Sequence, residues 1–208
     1  MMVHRACAPG TRDASADYNR VRIITTPHQI PGEPILRQIG EVFLKHRVHC
    51  QFGLALLHRH VDLKPRHAMV HRRRHDTTEI CTMEPAGLSQ IYPLSFYITE
   101  TGVSEPFEYS DETHCGPPPL FITELGSMFK MNGYEKTFCV TYLSSLNGLL
   151  VERELPDGRG TIATSMDEKE YSGGGVTTVW AFDPGESGMV VKARRVCETQ
   201  QSGGHKVT

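Results

Sequence analysis

The chain lacks the apolar segments that mark membrane and secreted proteins. No stretch approaches the roughly 18 consecutive apolar residues that a membrane-spanning helix requires. The first 20 residues are basic but contain no apolar core of the kind found in a secretory signal peptide. We therefore expect a cytoplasmic protein that does not contact a membrane.

Paired cysteines are also missing. The six cysteines are scattered and form no Cys-x-x-Cys pair, which argues against a zinc ribbon, a zinc finger and a disulfide framework. The spacing favours buried or free thiols, so a cysteine that binds metal has to join histidines in space. The six residues are Cys7, Cys50, Cys81, Cys115, Cys139 and Cys197.

Several catalytic motifs are absent as well. The sequence has no Gly-x-Ser-x-Gly elbow, no His-Glu-x-x-His and no kinase signature. The glycine run at 173–175 lacks the Gly-Lys-Ser/Thr of a P-loop and is interpreted as a linker. A nucleophilic cysteine at Cys50 or Cys115 stays open, but the histidine next to each one faces the opposite side of a strand. Each cysteine would need a histidine from elsewhere in the fold.

Composition indicates one ordinary globular domain. The 208 residues are 38% hydrophobic and 22% charged, with a net charge of -2. We expect a disordered tail over 1–20, one domain over 21–198 and a second disordered tail over 199–208. The part up to residue 78 is basic and the rest is acidic, so the two parts should attract each other. The basic run 72–75 contains no aromatic residue and is interpreted as a solvated loop, which argues against nucleic-acid binding.

The centre of the chain is rich in histidine: residues 46–75 hold seven of the 11 histidines. Residues 52–62 are predicted to form a strand that is apolar on both faces through Leu57, as in a central strand covered on both sides. His58 and His60 would then point inward together, with their Cα atoms about 6.6 Å apart. Two neutral imidazoles at this spacing are typical ligands for zinc, or alternatively for iron or copper.

A metal site needs at least a third protein ligand. A turn at 64–66 followed by a return strand at 68–71 would bring His67 or His71 beside the first pair. Further candidates are His49, Cys50, Asp62, Glu112, His114 and Cys115. The alternative is that His58 and His60 lie where a strand leaves the core and are simply packed and hydrogen-bonded.

The His58-Arg59-His60 segment resembles the His-x-His of the cupin barrel in those residues alone. The chain lacks the glutamate that follows at the spacing of that family, and it lacks the framing glycines. We assign no family from this resemblance.

Other patterns predict the remaining elements. Pro34 and the apolar spacing after it predict a helix over 34–46 that packs on a sheet. Residues 88–99 resemble a strand interrupted at Pro93, at an edge or a bulge, and residues 100–119 resemble a long acidic loop in which Glu112 is a candidate acid or base. Further predictions are short strands at 21–24 and 136–143, a short helix at 120–131, two hairpins at 149–155 with 161–165 and at 176–182 with 189–196, and a core position for Trp180.

The sequence therefore predicts an α+β fold, mainly an antiparallel β-sheet in the form of a rolled sheet or small barrel, with one N-terminal helix packed on it. The predicted function is that of a metal-dependent enzyme acting on a small organic substrate, with His58, His60 and one of His67 or His71 as ligands and Glu112 as the acid or base. The rival hypothesis is a non-catalytic binding or interaction protein with packed structural histidines and a basic loop that meets an acidic partner.

Overall fold

A computed structural model describes residues 14–21, 32–87, 90–186 and 188–198. The helices are α1 (Ala14–Asn19), α2 (Glu33–Lys45) and α3 (Pro119–Asn132), and a short 3₁₀-helix spans Glu168–Glu170. The strands are β1 (Phe52–Leu56), β2 (His67–His75), β3 (Thr78–Pro85), β4 (Tyr92–Ile98), β5 (Ser104–Ser110), β6 (Phe138–Tyr142), β7 (Leu149–Glu154), β8 (Gly160–Met166), β9 (Val176–Gly185) and β10 (Gly188–Cys197).

The ten strands close into one barrel. Their order around it is β1-β6-β4-β5-β2-β3-β8-β7-β10-β9, and β9 pairs back onto β1. The pairs β2–β5 and β7–β10 are parallel and the other pairs are antiparallel. The prediction of a mainly antiparallel barrel with helical elements is therefore confirmed at the level of fold class.

The main apolar core lies between the barrel wall and two helices. Helix α2 begins with a proline in its first turn and buries its apolar stripe, as predicted. Phe43 of α2 is fully buried against Phe121 of α3 and Phe182 of β9, with ring centroids 4.8 and 4.9 Å away. Phe138 and Trp180 belong to the same core, so the predicted core position of the tryptophan is confirmed.

Helix α1 and the segment after β1 hold each other in place. The side chain of Asn19 donates to the carbonyl of Leu63 at 2.9 Å and accepts from its N–H at 2.8 Å, and Arg59 donates to the carbonyl of Val21. Tyr18 is buried against Met69 and Phe107, which face the barrel interior. The expected tail over 1–20 therefore differs at 14–19, which form this helix, while 1–13 and 199–208 lie outside the described residues.

The predicted strand at 52–62 is wrong beyond Leu56. β1 ends there, and residues 57–66 form an irregular segment fixed by the contacts with α1. The predicted hairpin between this strand and 68–71 is also wrong, because β1 pairs with β6 and β9 whereas β2 pairs with β3 and β5. The partners of β1 come from the second half of the chain, which a local turn signal does not reveal.

Two predicted loops are strands. Residues 104–110 form β5 inside the expected loop 100–119. The basic run 72–75 continues β2, where Arg72 pairs with Glu84 and Asp111.

The bulge near Pro93 is confirmed, but its strand lies between β5 and β6 and is not an edge. The structure contains the helix expected near 120–131, the strand expected near 136–143 and both C-terminal hairpins. The short strand expected at 21–24 lies outside the described residues except for Val21.

Among the described residues, no helix is long and apolar enough to cross a bilayer.

Gly160 provides a test of the barrel closure. It opens β8 opposite Thr82 of β3, and a Cβ at this position would overlap the backbone carbonyl of Cys81. We expect Gly160→Ala to lower the free energy of unfolding by about 1 to 3 kcal/mol, since the two backbones must move apart. Urea denaturation measures this loss. Gly174→Ala is the control, because its added Cβ meets no atom within 4 Å, and equal losses in the two variants would contradict the close approach.

Candidate metal centre in the barrel interior

The inside of the barrel combines an apolar cluster with a group of charged side chains. It encloses a cavity of about 300 Å³. Its charged lining includes three carboxylates from facing strands, two histidines from the segment after β1, a third from β2, and one of the two lining arginines of β10. These side chains are Glu79, Glu108, Glu152, His58, His60, His71 and Arg195. Because the apolar core lies outside the wall, the interior is available for chemistry.

The strand directions define two ends of this cavity. At one end β1 and β4 begin and β5 and β6 finish, and the exposed lining residues Gln51 and Glu112 lie there. We call this end the rim. His58 and His60 follow the finish of β1 and therefore lie at the opposite end.

The rings of His58 and His60 converge through their Nε2 atoms, which are 3.1 Å apart. The Nδ1 of His58 lies 2.9 Å from the carbonyl oxygen of Leu56. A carbonyl only accepts, so Nδ1 carries the hydrogen and a neutral His58 ring keeps a lone pair on Nε2. A hydrogen bond from the second ring nitrogen to a backbone carbonyl is typical of metal-binding histidines.

Glu152 and Cys197 join this histidine pair. They lie directly opposite each other in the parallel pairing of β7 with β10. The Nε2 of His60 is 3.7 Å from Oε2 of Glu152 and 3.8 Å from Sγ of Cys197. One donor atom from each of the four residues lies within 4.8 Å of the other three. We call these four residues the metal cluster, since they are a set that could hold a metal ion.

Two buried groups orient the carboxylate of Glu152. The hydroxyl of Thr161 donates to Oε1 at 2.6 Å, and a guanidinium nitrogen of Arg195 lies 3.5 Å from the same oxygen. The other oxygen, Oε2, faces His60. Glu152 therefore presents one fixed oxygen to the cluster.

The pKa values around the cluster follow from burial and neighbouring charge. Burial alone would raise the pKa of Glu152, but Arg195 and His60 outweigh it and hold that pKa well below its usual range. Burial would lower the pKa of His60, whereas the nearby Glu152 carboxylate raises it above the usual value. The pKa of His58 is lowered, first by burial and then by His60. At neutral pH the cluster therefore pairs a carboxylate with one charged and one neutral histidine.

A second polar group lies nearer the rim and is centred on His71. Its Nδ1 is 2.7 Å from Glu79, and its Nε2 is 3.6 Å from Glu108. Burial would lower the pKa of His71, but its contacts with the carboxylates of Glu79 and Glu108 raise it. Arg195 also contacts Glu79, at 2.8 Å, and so links the two groups. The structure thus places His71 in an ion-pair network outside the metal cluster.

The other predicted site residues lie elsewhere. His67 is near the surface, with Nδ1 3.0 Å from the carbonyl oxygen of Pro65, and is not part of the cluster. Glu112 lies at the rim, half exposed and 4.0 Å from Arg73, so it is at the other end of the cavity from His58. His114 stacks on Tyr142 at 4.2 Å, and Cys50 is exposed. The remaining candidates, His49, Asp62 and Cys115, are also outside the cluster.

Sequence reasoning missed Glu152 and Cys197. Glu152 follows directly on the apolar run 149–151 of β7, which was a usable signal, because a buried carboxylate needs a partner. Nothing local indicated that Cys197 lies opposite it. All five cysteines among the described residues are free thiols, as the spacing predicted.

Fold and site together define a closed β-barrel protein with a charged interior and a candidate metal cluster at one end. Comparison of the chain with protein-family models, with curated proteins and with solved structures gave no match in any of the three.

Proposed function

We propose that this protein is a metal-dependent enzyme that acts on a small organic molecule inside the barrel. The observation that carries the proposal is the convergence of four metal-ligating donor atoms at one end of an internal cavity. His58 and His60 supply nitrogen, Glu152 supplies oxygen, and Cys197 supplies sulfur. Glu152 and Cys197 replace His67 and His71 in the ligand set that the sequence suggested.

The spacing of the donors supports this role. In a tetrahedral zinc site with nitrogen and oxygen at about 2.1 Å and sulfur at about 2.3 Å, neighbouring donors lie roughly 3.3 to 3.6 Å apart. The separations from His60 are 3.1, 3.7 and 3.8 Å, to His58, Glu152 and Cys197 respectively. The remaining donor pairs lie within 4.8 Å, so side chains would have to move by up to about 1 Å to reach the spacing of a tetrahedral site.

The donor chemistry favours zinc, with iron or copper as alternatives. Imidazole suits all three metals, and a thiolate adds a preference for a borderline or soft ion. A carboxylate and a thiolate together match the charge of a divalent ion. When bound, such a metal would polarise a carbonyl or activate water if it is zinc, or take part in oxygen chemistry if it is iron or copper.

The cavity supports a substrate of modest size. At about 300 Å³ it lies at the lower end of the range for small-molecule sites. One part of its wall is apolar, with Ala55, Phe107 and Val179, while the His71 network lies on another part. Glu112 would act as an acid or base only on a substrate group held at the rim, because it lies at the opposite end of the cavity from the metal cluster.

Metal analysis tests the proposal. Protein purified without a histidine tag and loaded with zinc should retain about one equivalent after gel filtration. The His58→Ala/His60→Ala variant should lose it, because two of the four donors are gone. The readout is elemental analysis of zinc per chain, with circular dichroism to show that the variant is folded.

His67→Ala is the matched control, because this histidine is near the surface and outside the cluster. It should retain zinc as the wild type does. Equal zinc content in the wild type and the double variant, or none in the wild type, would contradict the metal site.

A purely structural metal site is the second candidate, because four protein donors complete a tetrahedral shell. Cobalt-substituted protein distinguishes the two functions. An enzyme with an exchangeable position should change its visible absorption when azide is added, since azide enters the shell. A spectrum that azide leaves unchanged would favour a closed structural site.

A further inference from the structure

Two consecutive arginines, Arg194 and Arg195, both line the cavity. In a regular strand, neighbouring side chains point to opposite faces, so only one of the two would face inward. The register of β10 on β9 is irregular here: Ala193 pairs with Trp180 and Arg195 with Val179, which leaves Arg194 without a partner. A bulge of this kind re-aims a side chain and is common beside functional sites.

The two arginines differ in how their charge is balanced. Arg195 is buried and contacts the carboxylates of Glu79 and Glu152. Arg194 donates only through Nη2, to the carbonyl oxygens of Ser144 at 3.4 Å and Leu146 at 3.0 Å. Within the described part of the chain, no carboxylate pairs with Arg194.

The three inner carboxylates have other partners. Glu79, Glu108 and Glu152 each lie within 3.7 Å of a basic side chain, from Arg195, His71 or His60. The guanidinium of Arg194 has no such carboxylate among the described residues, and it lies at the rim, because Ser144 and Leu146 belong to the connection that follows β6. A second guanidinium at the rim, Arg73, has one carboxylate neighbour, Glu112, at 4.0 Å.

We propose that Arg194 binds the carboxylate of a small organic acid at the rim, and that the substrate of the cavity is a monocarboxylic acid. A guanidinium presents paired N–H donors that match the two oxygens of a carboxylate. The apolar body of the acid then lies against Ala55 and Val179, and its other end reaches toward the metal cluster. The inference rests on the proposed function for the reacting end of the substrate, whereas the carboxylate subsite is independent of bound metal.

Calorimetric titration tests this subsite with acetate, benzoate and phenylacetate, each against its uncharged amide. We expect at least one of the three acids to bind the wild-type protein, and its amide to bind at least about tenfold more weakly, which corresponds to about 1.4 kcal/mol. Arg194→Met should reduce the affinity for that acid to the level of the amide. Arg194→Lys keeps the charge and should recover part of the loss.

Arg74→Met is the control, since Arg74 is exposed on β2 and does not line the cavity. It should bind the acids as the wild type does. The zinc content of Arg194→Met should equal that of the wild type, which shows that the barrel is intact and separates this test from that of the metal site.

Three results would overturn the subsite: none of the acids binds, the amides bind as tightly as the acids, or Arg194→Met keeps its affinity for them. Inorganic phosphate that binds more tightly than every carboxylate would also overturn the assigned substrate class. A protein that holds no zinc but discriminates acid from amide through Arg194 would retain the subsite and reject the metal-dependent enzyme.

Discussion

The Arg195→Met variant is expected to lose about 3 to 5 kcal/mol of unfolding free energy, because the change removes one partner of a buried ion-pair network. Arg195 lies inside the barrel with 13% of its side chain exposed, 2.8 Å from Glu79 and 3.5 Å from Glu152. Methionine fills much of the same volume but offers neither charge nor hydrogen bonds. The two carboxylates then remain buried with less compensation.

Urea denaturation of metal-free protein measures this loss. Arg153→Met is the control, because Arg153 pairs with Glu198 at 2.7 Å but more than half of its side chain is exposed. An exposed pair contributes about 0 to 1 kcal/mol. A second variant, Arg195→Met/Glu79→Gln, should recover part of the stability, since it removes one of the two carboxylates that lose Arg195 as a partner. If Arg195→Met and Arg153→Met lost the same amount, the buried network would not hold the barrel together.

Local patterns in the sequence were enough for the elements whose partners are close along the chain. The apolar spacing after Pro34 identified α2, and the turn signal at 156–160 identified the hairpin of β7 and β8. Each of these depends on short-range geometry. The closure of the barrel was less accessible, because β1 pairs with strands that lie more than 80 residues away.

His58 and His60 converge in the cavity, but not through the regular strand that the sequence predicted. Phe52 and Leu54 pack in the core between barrel and helices, whereas Ala55 faces the cavity. A strand that continued regularly from Leu54 would have pointed His58 and His60 toward the helices. The rings enter the cavity because β-structure stops at Leu56, and the following segment turns inward under α1.

The sequence did not identify β5, which supplies Glu108 to the cavity, as a strand. β5 carries Glu105, Glu108 and Ser110 and so resembles an acidic loop by composition. In a barrel with a polar interior, however, such residues belong to a strand whose inner face is charged. The usual rule that buried faces are apolar holds for the outer wall, where the helices pack, but the inner wall is apolar only in part.

The free energy of unfolding should depend on pH, because three carboxylates of the inner wall have depressed pKa values. Burial alone would raise the pKa of Glu79, but Arg195 and His71 lower it below its usual range. The pKa of Glu108 is likewise lowered by its hydrogen bonds with His71 and Ser95, against the effect of burial, and that of Glu152 by Arg195 and His60. In the unfolded chain these groups take up protons near pH 4.3, the ordinary value for glutamate.

We therefore expect the metal-free protein to lose stability steeply as the pH falls below about 4.3. In that range the unfolded state binds protons that the folded state does not, so the stabilisation present at higher pH is lost until the folded pKa values are passed. Each such carboxylate contributes about 1.4 kcal/mol per pH unit, and three together contribute up to about 4 kcal/mol per pH unit. His60 and His71 have raised pKa values and are charged in both states below about pH 5, so they add no slope in the range where the carboxylates titrate.

Urea denaturation in EDTA between about pH 2.5 and 6 gives the slope of unfolding free energy against pH in the range where the unfolded carboxylates titrate. Glu79→Gln removes one of the three groups and should reduce the slope by about 1.4 kcal/mol per pH unit, whatever its effect on stability at neutral pH. Glu168→Gln changes an exposed carboxylate on the 3₁₀-helix and should leave the slope as it is. A Glu79→Gln slope equal to that of the wild type would mean that Glu79 is not held ionised inside the barrel by Arg195 and His71.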